Sequence, residues 1–119
     1  MTGRDLVEHL EKQAGEYHRA TVRYDSDDIT VLHIRNDMRE SLLTSRIDRM
    51  LRRIRPESSS SEERAFPFGE LNATVRLFQD AIFIHFPLGN NHGIAVTLEP
   101  ETARNLNTFI GECEKRIQQ

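Results

Sequence analysis

The sequence contains a single cysteine, Cys113, among its 119 residues. One cysteine excludes an internal disulfide framework and a metal site built from several thiolates, and it favours a reducing, cytosolic setting. Residues 1–15 include no long apolar run, so we expect neither a signal peptide nor a membrane span there. No segment matches a catalytic or cofactor-binding motif. We therefore expect a protein that is not an enzyme and that has no cofactor, no metal and no membrane association.

The sequence also lacks a large excess of either positive or negative charge. The formal net charge is -3, with 37% hydrophobic and 29% charged residues, which is an ordinary composition for a globular protein. The molecule as a whole is therefore not a polyanion binder, and any basic patch must be local. The length predicts a single domain over residues 1–119, long enough to bury a core.

The first third of the chain predicts a helix followed by a β-hairpin. Apolar residues recur at helical spacing over residues 3–14. Residues 19–25 alternate between apolar and polar, which indicates a half-buried strand, and residues 29–35 form the return strand. The intervening "DSDD" lacks the glycine and the distant glutamate of a calcium-binding loop, so we interpret it as the hairpin turn.

A second helix is predicted at 44–55 from an apolar stripe of helical period. Its arginines, which fall mainly outside the stripe, could neutralise phosphates or could form a solvated or protein-facing surface. Residues 46–64 contain six basic and four acidic residues and no interleaved aromatic, which favours the second interpretation. A flexible polar loop is expected at about 56–69. The candidate residues for a protein partner or nucleic acid are Arg46, Arg49, Arg52, Arg53 and Arg55.

The second half of the chain predicts three more strands and a last helix. Strands are expected at 70–78, at 81–86 as a central strand covered on both faces, and at 94–98. The predicted fold class is α+β in the order α-β-β-α-β-β-β-α, a five-stranded antiparallel sheet with helices packed on it. The last helix is expected to bury an apolar stripe comprising Ala103, Leu106, Phe109, Ile110, Cys113 and Ile117.

The loop "PLGNNHG" and three histidines are the remaining candidate sites. The loop residues Gly89, Asn90, Asn91, His92 and Gly93 could turn backbone amides toward an anion, but glycine and asparagine are also what a hairpin loop needs. Imidazoles from His33, His85 and His92 could converge on zinc if their strands are neighbours. Their irregular spacing instead favours packing or edge positions.

Two resemblances bear on function. The predicted element order resembles the roadblock/LC7 fold, a profilin-like antiparallel sheet between helices. The segments "YDSDDITVLHIRNDMRE…IDRMLRRIRPES" and "FQDAIFIHFPLGNNHGIAV" resemble a group of small uncharacterised haloarchaeal proteins, and fourteen arginines against two lysines resemble the composition of proteins from salt-loving archaea.

The roadblock resemblance implies a domain that dimerises by sheet edge or by helix and serves as a platform for regulatory partners. We therefore hypothesise a non-enzymatic regulatory or scaffolding module that forms a homodimer and binds a protein partner. The alternatives are a nucleic-acid-binding protein that uses the helix at 44–55, and a small-ligand sensor, because PAS-like and GAF-like domains share parts of this order.

Overall fold

The computed structural model describes residues 3–26, 28–38, 49–53, 67–89 and 92–117. The helices are α1 (Gly3–Gln13), α2 (residues 49–53) and α3 (Arg104–Ile117). The strands are β1 (His18–Asp25), β2 (Asp28–Ile34), β3 (Thr74–Leu77), β4 (Ile82–Gly89) and β5 (His92–Leu98). Short 3-10 turns lie at Gly15–Tyr17, Asn36–Met38 and Pro100–Ala103.

The five strands form one antiparallel sheet in the order β2-β1-β5-β4-β3. This arrangement confirms the predicted α+β class. The central strand is β5, whose residues 93–96 are all buried, because both faces of the sheet are covered at that point. Residues 78–81 connect β3 to β4 in a tight turn, in which the Phe78 amide donates a hydrogen bond to the Ala81 carbonyl oxygen.

Register shifts in β1 and β2 reverse the alternation of their side chains. In β1, His18 pairs with Leu98 but Ala20 pairs with Thr97, so β1 has one extra residue between these pairs. Such a bulge moves the side chains before it to the opposite face. In β2, His33 pairs with Thr21 but Val31 pairs with Val22. Strand β2 therefore has one extra residue, Leu32, between these pairs.

Each face of the sheet has its own apolar cluster. On the face that we call the α1 face, the buried residues Ile82, Ile94, Val96 and Leu98 contact partly buried Leu6 and Leu10 from α1 and Ala14 just after it. On the opposite face, the α2 face, Val22, Tyr24, Phe83 and Ala95 pack with Leu51 of α2. Leu51 is 1% exposed, and burial of a leucine side chain stabilises a fold by about 1.5–3 kcal/mol.

Three predictions about elements need correction or fall outside the described residues. The strand predicted at 70–78 is shorter, since Leu71 lies before β3 and is exposed. The polar loop predicted at 56–69 and the ends of the helix at 44–55 lie outside the described residues, apart from residues 67–69. Residues 49–53 are helical, as predicted.

The predicted buried stripe of the last helix is wrong. Helix α3 contains no buried residue, and Leu106, Phe109 and Ile117 are 43%, 66% and 80% exposed. Cys113 is exposed as well. The physical reason is that α1 supplies the apolar cover of its face, and Ala103, in the turn before α3, packs against that cluster. Over the described residues, no helix combines the length and the apolar content needed to cross a bilayer.

Gly93 shows a steric constraint inside the sheet. It pairs with Tyr24 across β1 and β5, and the hydroxyl end of the Tyr24 ring occupies the space next to its α-carbon. A methyl group at this position would lie 2.7 Å from the Tyr24 hydroxyl oxygen and 2.7 Å from the Phe86 carbonyl oxygen. The second of these atoms belongs to the backbone of β4, so only glycine fits without displacement of a strand.

We predict that Gly93→Ala lowers the free energy of unfolding by about 1–3 kcal/mol, because overpacking displaces the sheet or the Tyr24 ring. Urea denaturation measures this change. The matched control is Gly111→Ala in α3, where an added methyl meets no atom within 4 Å. There the helix propensity of alanine is expected to stabilise the protein by about 0.5–1 kcal/mol. Equal effects of the two substitutions would contradict the packing at Gly93.

Candidate functional site

Three side chains with metal-binding chemistry meet where α1 contacts β1 and β2. The carboxylate oxygen Oε1 of Glu11 lies 2.8 Å from Nδ1 of His18 and 3.2 Å from Nε2 of His33. One ligand atom from each residue falls within 4.8 Å of the other two. The two imidazole rings stack, with centroids 4.2 Å apart and 20° between their planes. We call these three residues the His–Glu cluster.

His18 is the buried member of the cluster. Its side chain is 0% exposed, and its Nε2 atom lies 2.6 Å from the Thr21 hydroxyl oxygen. Burial lowers the pKa of His18, and the hydrogen bond that its ring donates to Glu11 offsets part of that effect. A neutral ring satisfies both contacts when Nδ1–H donates to Glu11 and Nε2 accepts from the Thr21 hydroxyl. Both ring nitrogens of His18 are therefore held by protein groups.

The other two members open the cluster to solvent. The side chains of Glu11 and His33 are 45% and 26% exposed. Two imidazoles and a carboxylate are a common ligand set for zinc-class ions, and an exposed side leaves room for a water molecule as a further ligand. The His–Glu cluster is the one group of this kind found among the residues that the structure describes.

A second polar pair lies on the α2 face. The Tyr24 hydroxyl oxygen and His85 Nε2 are 2.8 Å apart, and both side chains are buried. His85 Nδ1 is buried and has no hydrogen-bond partner among the residues that the structure describes. Burial lowers the pKa of His85, and the positive charge of Arg76 lowers it further. This histidine is therefore held neutral in the core and acts in packing.

The sequence-predicted histidine set does not come together. His33 lies in edge strand β2 with its ring on the α1 face, whereas His85 lies in β4 on the α2 face. His92 begins β5, and its ring lies so close to Gly89 that a methyl group there would be 2.5 Å from it. Of the predicted loop candidates, Asn90 and Asn91 lie outside the described residues, and Gly93 is packed under Tyr24.

The arginine candidates are described only in part. Arg49, Arg52 and Arg53 are exposed on α2, while Leu51 between them faces the sheet. Arg46 and Arg55 lie outside the described residues. The described arginines are consistent with the predicted outer face of this helix.

The structure has a small cavity and a wide groove that we assess as small-ligand sites. An apolar cavity of about 30 Å³ lies between α2 and the sheet, lined in part by Met50, Leu51 and Phe83. It has room for about one water molecule, far less than a metabolite needs. A wide groove of about 400 Å³ is bordered by Tyr17, three glutamates and Arg35. Arg35 is already bound there, since its guanidinium donates to Asp37, to Glu99 and to the Glu16 carbonyl oxygen.

Comparison with known proteins places the chain in a family. Residues 4–118 match the family described as Domain of unknown function (DUF7522). The chain belongs to this family. No curated protein and no solved structure matches it. The match covers almost the whole chain, and the description of the family names no activity.

Helix α3 carries exposed apolar residues, which form a second candidate surface. Its apolar residues recur at positions three, four and seven apart, which places them on one side of the helix. We call this set the α3 stripe; it comprises Leu106, Phe109, Ile110, Cys113 and Ile117. Charged residues of both signs lie beside it in the same helix, among them Arg104, Glu112, Glu114, Lys115 and Arg116.

The His–Glu cluster was missed from sequence because of the bulges. His18 lies one residue before the strand predicted at 19–25, and simple alternation would set it on the face of Ala20 and Val22. The extra residue in β1 instead puts it on the α1 face, within reach of Glu11. The sequence shows only that Glu11 and His18 lie on elements that follow one another in the chain. That proximity is too weak a basis for predicting a contact.

We predict that the buried His85 makes the free energy of unfolding decrease as the pH is lowered. A histidine whose pKa is lowered in the folded state binds its proton more readily when unfolded. The free energy of unfolding therefore decreases as pH falls below about 6.5, with a slope of up to about 1.4 kcal/mol per pH unit, and levels off below the folded-state pKa. Urea denaturation from pH 8 to pH 5, in steps, measures it.

The test compares His85→Gln with the wild type. An amide nitrogen or oxygen near the Nε2 position preserves the contact with Tyr24 but does not titrate in this range. The variant should therefore have a smaller slope than the wild type, with some slope left from His18. His9→Gln, in an exposed part of α1, controls for the loss of one histidine. A slope unchanged in His85→Gln would contradict the prediction.

Proposed function

We propose that this protein is a non-enzymatic interaction module that associates with a second copy of itself through the α3 stripe. The observation that carries the proposal is the exposure of Leu106, Phe109 and Ile117 on one side of a 14-residue helix. An amphipathic helix in a globular protein usually turns its apolar side to the core. A helix that keeps this side in water has a side available for a partner.

A second copy fits the charges beside the stripe. A symmetric dimer places the same patch of both copies in contact, so a surface of one charge sign would repel itself. The α3 stripe is flanked by three basic and two acidic side chains. In an antiparallel pair of helices, Arg104 of one copy lies toward the last turns of the other, where Glu112 and Glu114 are found. Mixed charge therefore permits self-association.

The size of α3 sets the expected strength. At 1.5 Å per residue, the 14 residues extend about 21 Å. A stable dimer needs roughly 800 Å² from each partner, which is more than one side of such a helix supplies. We therefore expect a weak dimer in concentration-dependent exchange, unless other surfaces contribute. The exposed Val75 and Phe78 on and beside edge strand β3 could supply more apolar contact.

The resemblance of the predicted element order to roadblock/LC7 domains supports the same proposal by analogy. Those domains dimerise through sheet edges or helices and act as platforms for regulatory partners. The resemblance to haloarchaeal proteins makes high salt a relevant condition for the tests, and a cytoplasmic location remains our expectation. Analogy of fold is a weaker argument for function than an exposed surface.

We predict that Phe109→Glu abolishes self-association and leaves the fold intact. Phe109 is 66% exposed, so its removal leaves little cavity, whereas a carboxylate would have to be desolvated in the interface. Sedimentation equilibrium over a wide concentration range, at low and high salt, measures the association constant. The wild type should show a mass that rises with concentration, and the variant should remain a monomer.

Thr108→Glu is the matched control, because it adds the same charge to an exposed position of α3 outside the stripe. It should associate as the wild type does. The single cysteine gives a second readout, since a maleimide on Cys113 should block association in the same way as Phe109→Glu. A wild type that stays monomeric throughout, or a Phe109→Glu variant that associates normally, would rule out this surface.

A second candidate function, nucleic-acid binding, is supported by the exposure of Arg49, Arg52 and Arg53 while Leu51 anchors their helix to the sheet. It predicts binding to DNA or RNA that weakens steeply with salt, by a power of about 0.9 for each phosphate neutralised on duplex DNA. Fluorescence polarisation with labelled duplexes and single strands measures this. Reversal of all three arginines to glutamate should abolish binding.

The charge control reverses three exposed arginines elsewhere, Arg23, Arg104 and Arg116, and should keep more affinity than the α2 variant. Equal losses in both variants would indicate a general charge effect. No binding by the wild type even at low salt would leave the arginines as a solvated or protein-facing surface.

A further inference from the structure

The distances within the His–Glu cluster match those of a metal site. A tetrahedral ion with ligand bonds of roughly 2.0–2.2 Å holds its ligand atoms about 3.4 Å apart. The separations in the structure, 2.8 Å from Glu11 Oε1 to His18 Nδ1 and 3.2 Å to His33 Nε2, would need to open by about 0.6 Å and about 0.2 Å. One carboxylate oxygen contacts both imidazoles, and the three ligand atoms all lie within 4.8 Å of one another.

The surroundings of His18 match the outer contacts that metal-binding histidines require. Such a histidine usually gives its second ring N–H to an oxygen, which fixes the ring and its tautomer. Thr21 supplies this oxygen, 2.6 Å from His18 Nε2. Without a metal, the Thr21 hydroxyl donates to Nε2. With a metal on Nδ1, the proton moves to Nε2 and the same hydroxyl accepts it.

The bulges are an independent observation that points to the same site. Regular alternation would set His18 and His33 on the α2 face with Ala20, Val22 and Val31. Shifts in both strands bring the two histidines to the α1 face, beside Thr21 and under Glu11. Bulges recur next to functional sites, where they redirect a side chain. Each of the two strands thus has a bulge next to the histidine that it contributes to the cluster.

We propose that Glu11, His18 and His33 bind one divalent ion of the zinc class. Two neutral imidazoles and a carboxylate give the site one negative charge, and the exposed side admits water as the fourth ligand. The absence of a thiolate or thioether from the set disfavours Cu(I). Zinc would then join α1 to β1 and β2.

Binding requires one local rearrangement. An ion lies near the plane of each imidazole that binds it, whereas the two rings stack with only 20° between their planes. His18 is buried and held by Thr21, so the more exposed His33 ring in edge strand β2 is the one that turns. The site therefore binds with a rotation of one side chain and no change of the sheet.

The test titrates untagged, metal-free protein with Zn²⁺ by calorimetry and with Co²⁺ by visible absorption, which reports tetrahedral coordination. The wild type should bind one equivalent and show intense Co²⁺ bands. Thr21→Val should weaken Zn²⁺ binding about 10–100-fold through loss of the outer contact. Glu11→Gln and His33→Gln should weaken it more than that. His18 itself is left unchanged because its burial makes a substitution there a threat to folding.

The controls repeat the same chemical changes on exposed residues of α1, as Glu8→Gln and His9→Gln. Both should keep the wild-type affinity, and circular dichroism should show that every variant is folded. No binding by the wild type overturns the proposal. So does equal affinity in the wild type, Glu11→Gln and His33→Gln, because the ion would then sit elsewhere. A Zn²⁺-dependent rise in Tm of the wild type that is absent from His33→Gln supports it.

Discussion

The extra residues in β1 and β2 are the constraint on which the rest of the structure depends. Side chains in a strand alternate with a strict period of two, so one inserted residue moves everything before it to the other face. Without these shifts, His18 would lie beneath α2 among apolar side chains, where an unpaired imidazole is costly. With them, it lies beneath α1, where Glu11 and Thr21 satisfy both of its nitrogens.

The two faces of the sheet accommodate buried histidines in different ways. On the α2 face, Nε2 of His85 contacts the Tyr24 hydroxyl, whereas its Nδ1 atom has no hydrogen-bond partner in the described part of the chain. A buried polar atom without a partner reduces stability, and this face compensates with apolar packing of Leu51 and Phe83. On the α1 face, His18 is fully paired and adjoins solvent-accessible ligands. The buried histidine of the α1 face therefore lies beside exposed polar groups, whereas that of the α2 face lies within apolar packing.

The sequence predicted those features of the fold that follow from local periodicity. Alternation in 19–25 and the apolar run at 81–86 gave the strands, and helical spacing gave α1 and α3. Periodicity says which side of an element is apolar, but not whether another element covers that side. The prediction for α3 failed at that step. The His–Glu cluster escaped notice because its members come from three elements, and bulges alter the face on which two of them lie.

Helices α1 and α3 are both amphipathic, yet only α1 is held to the sheet by a polar contact in addition to apolar ones. Glu11 bonds the buried His18, and Leu6 and Leu10 pack beside it. The polar contacts of α3 in the described part of the chain are local, from Asn107 to the Pro100 carbonyl and from Lys115 to Glu112. Because α3 contains no buried residue, its apolar side is exposed without any rearrangement of the core. A polar contact therefore holds α1 to the sheet, whereas the polar contacts of α3 are local and leave its apolar side exposed.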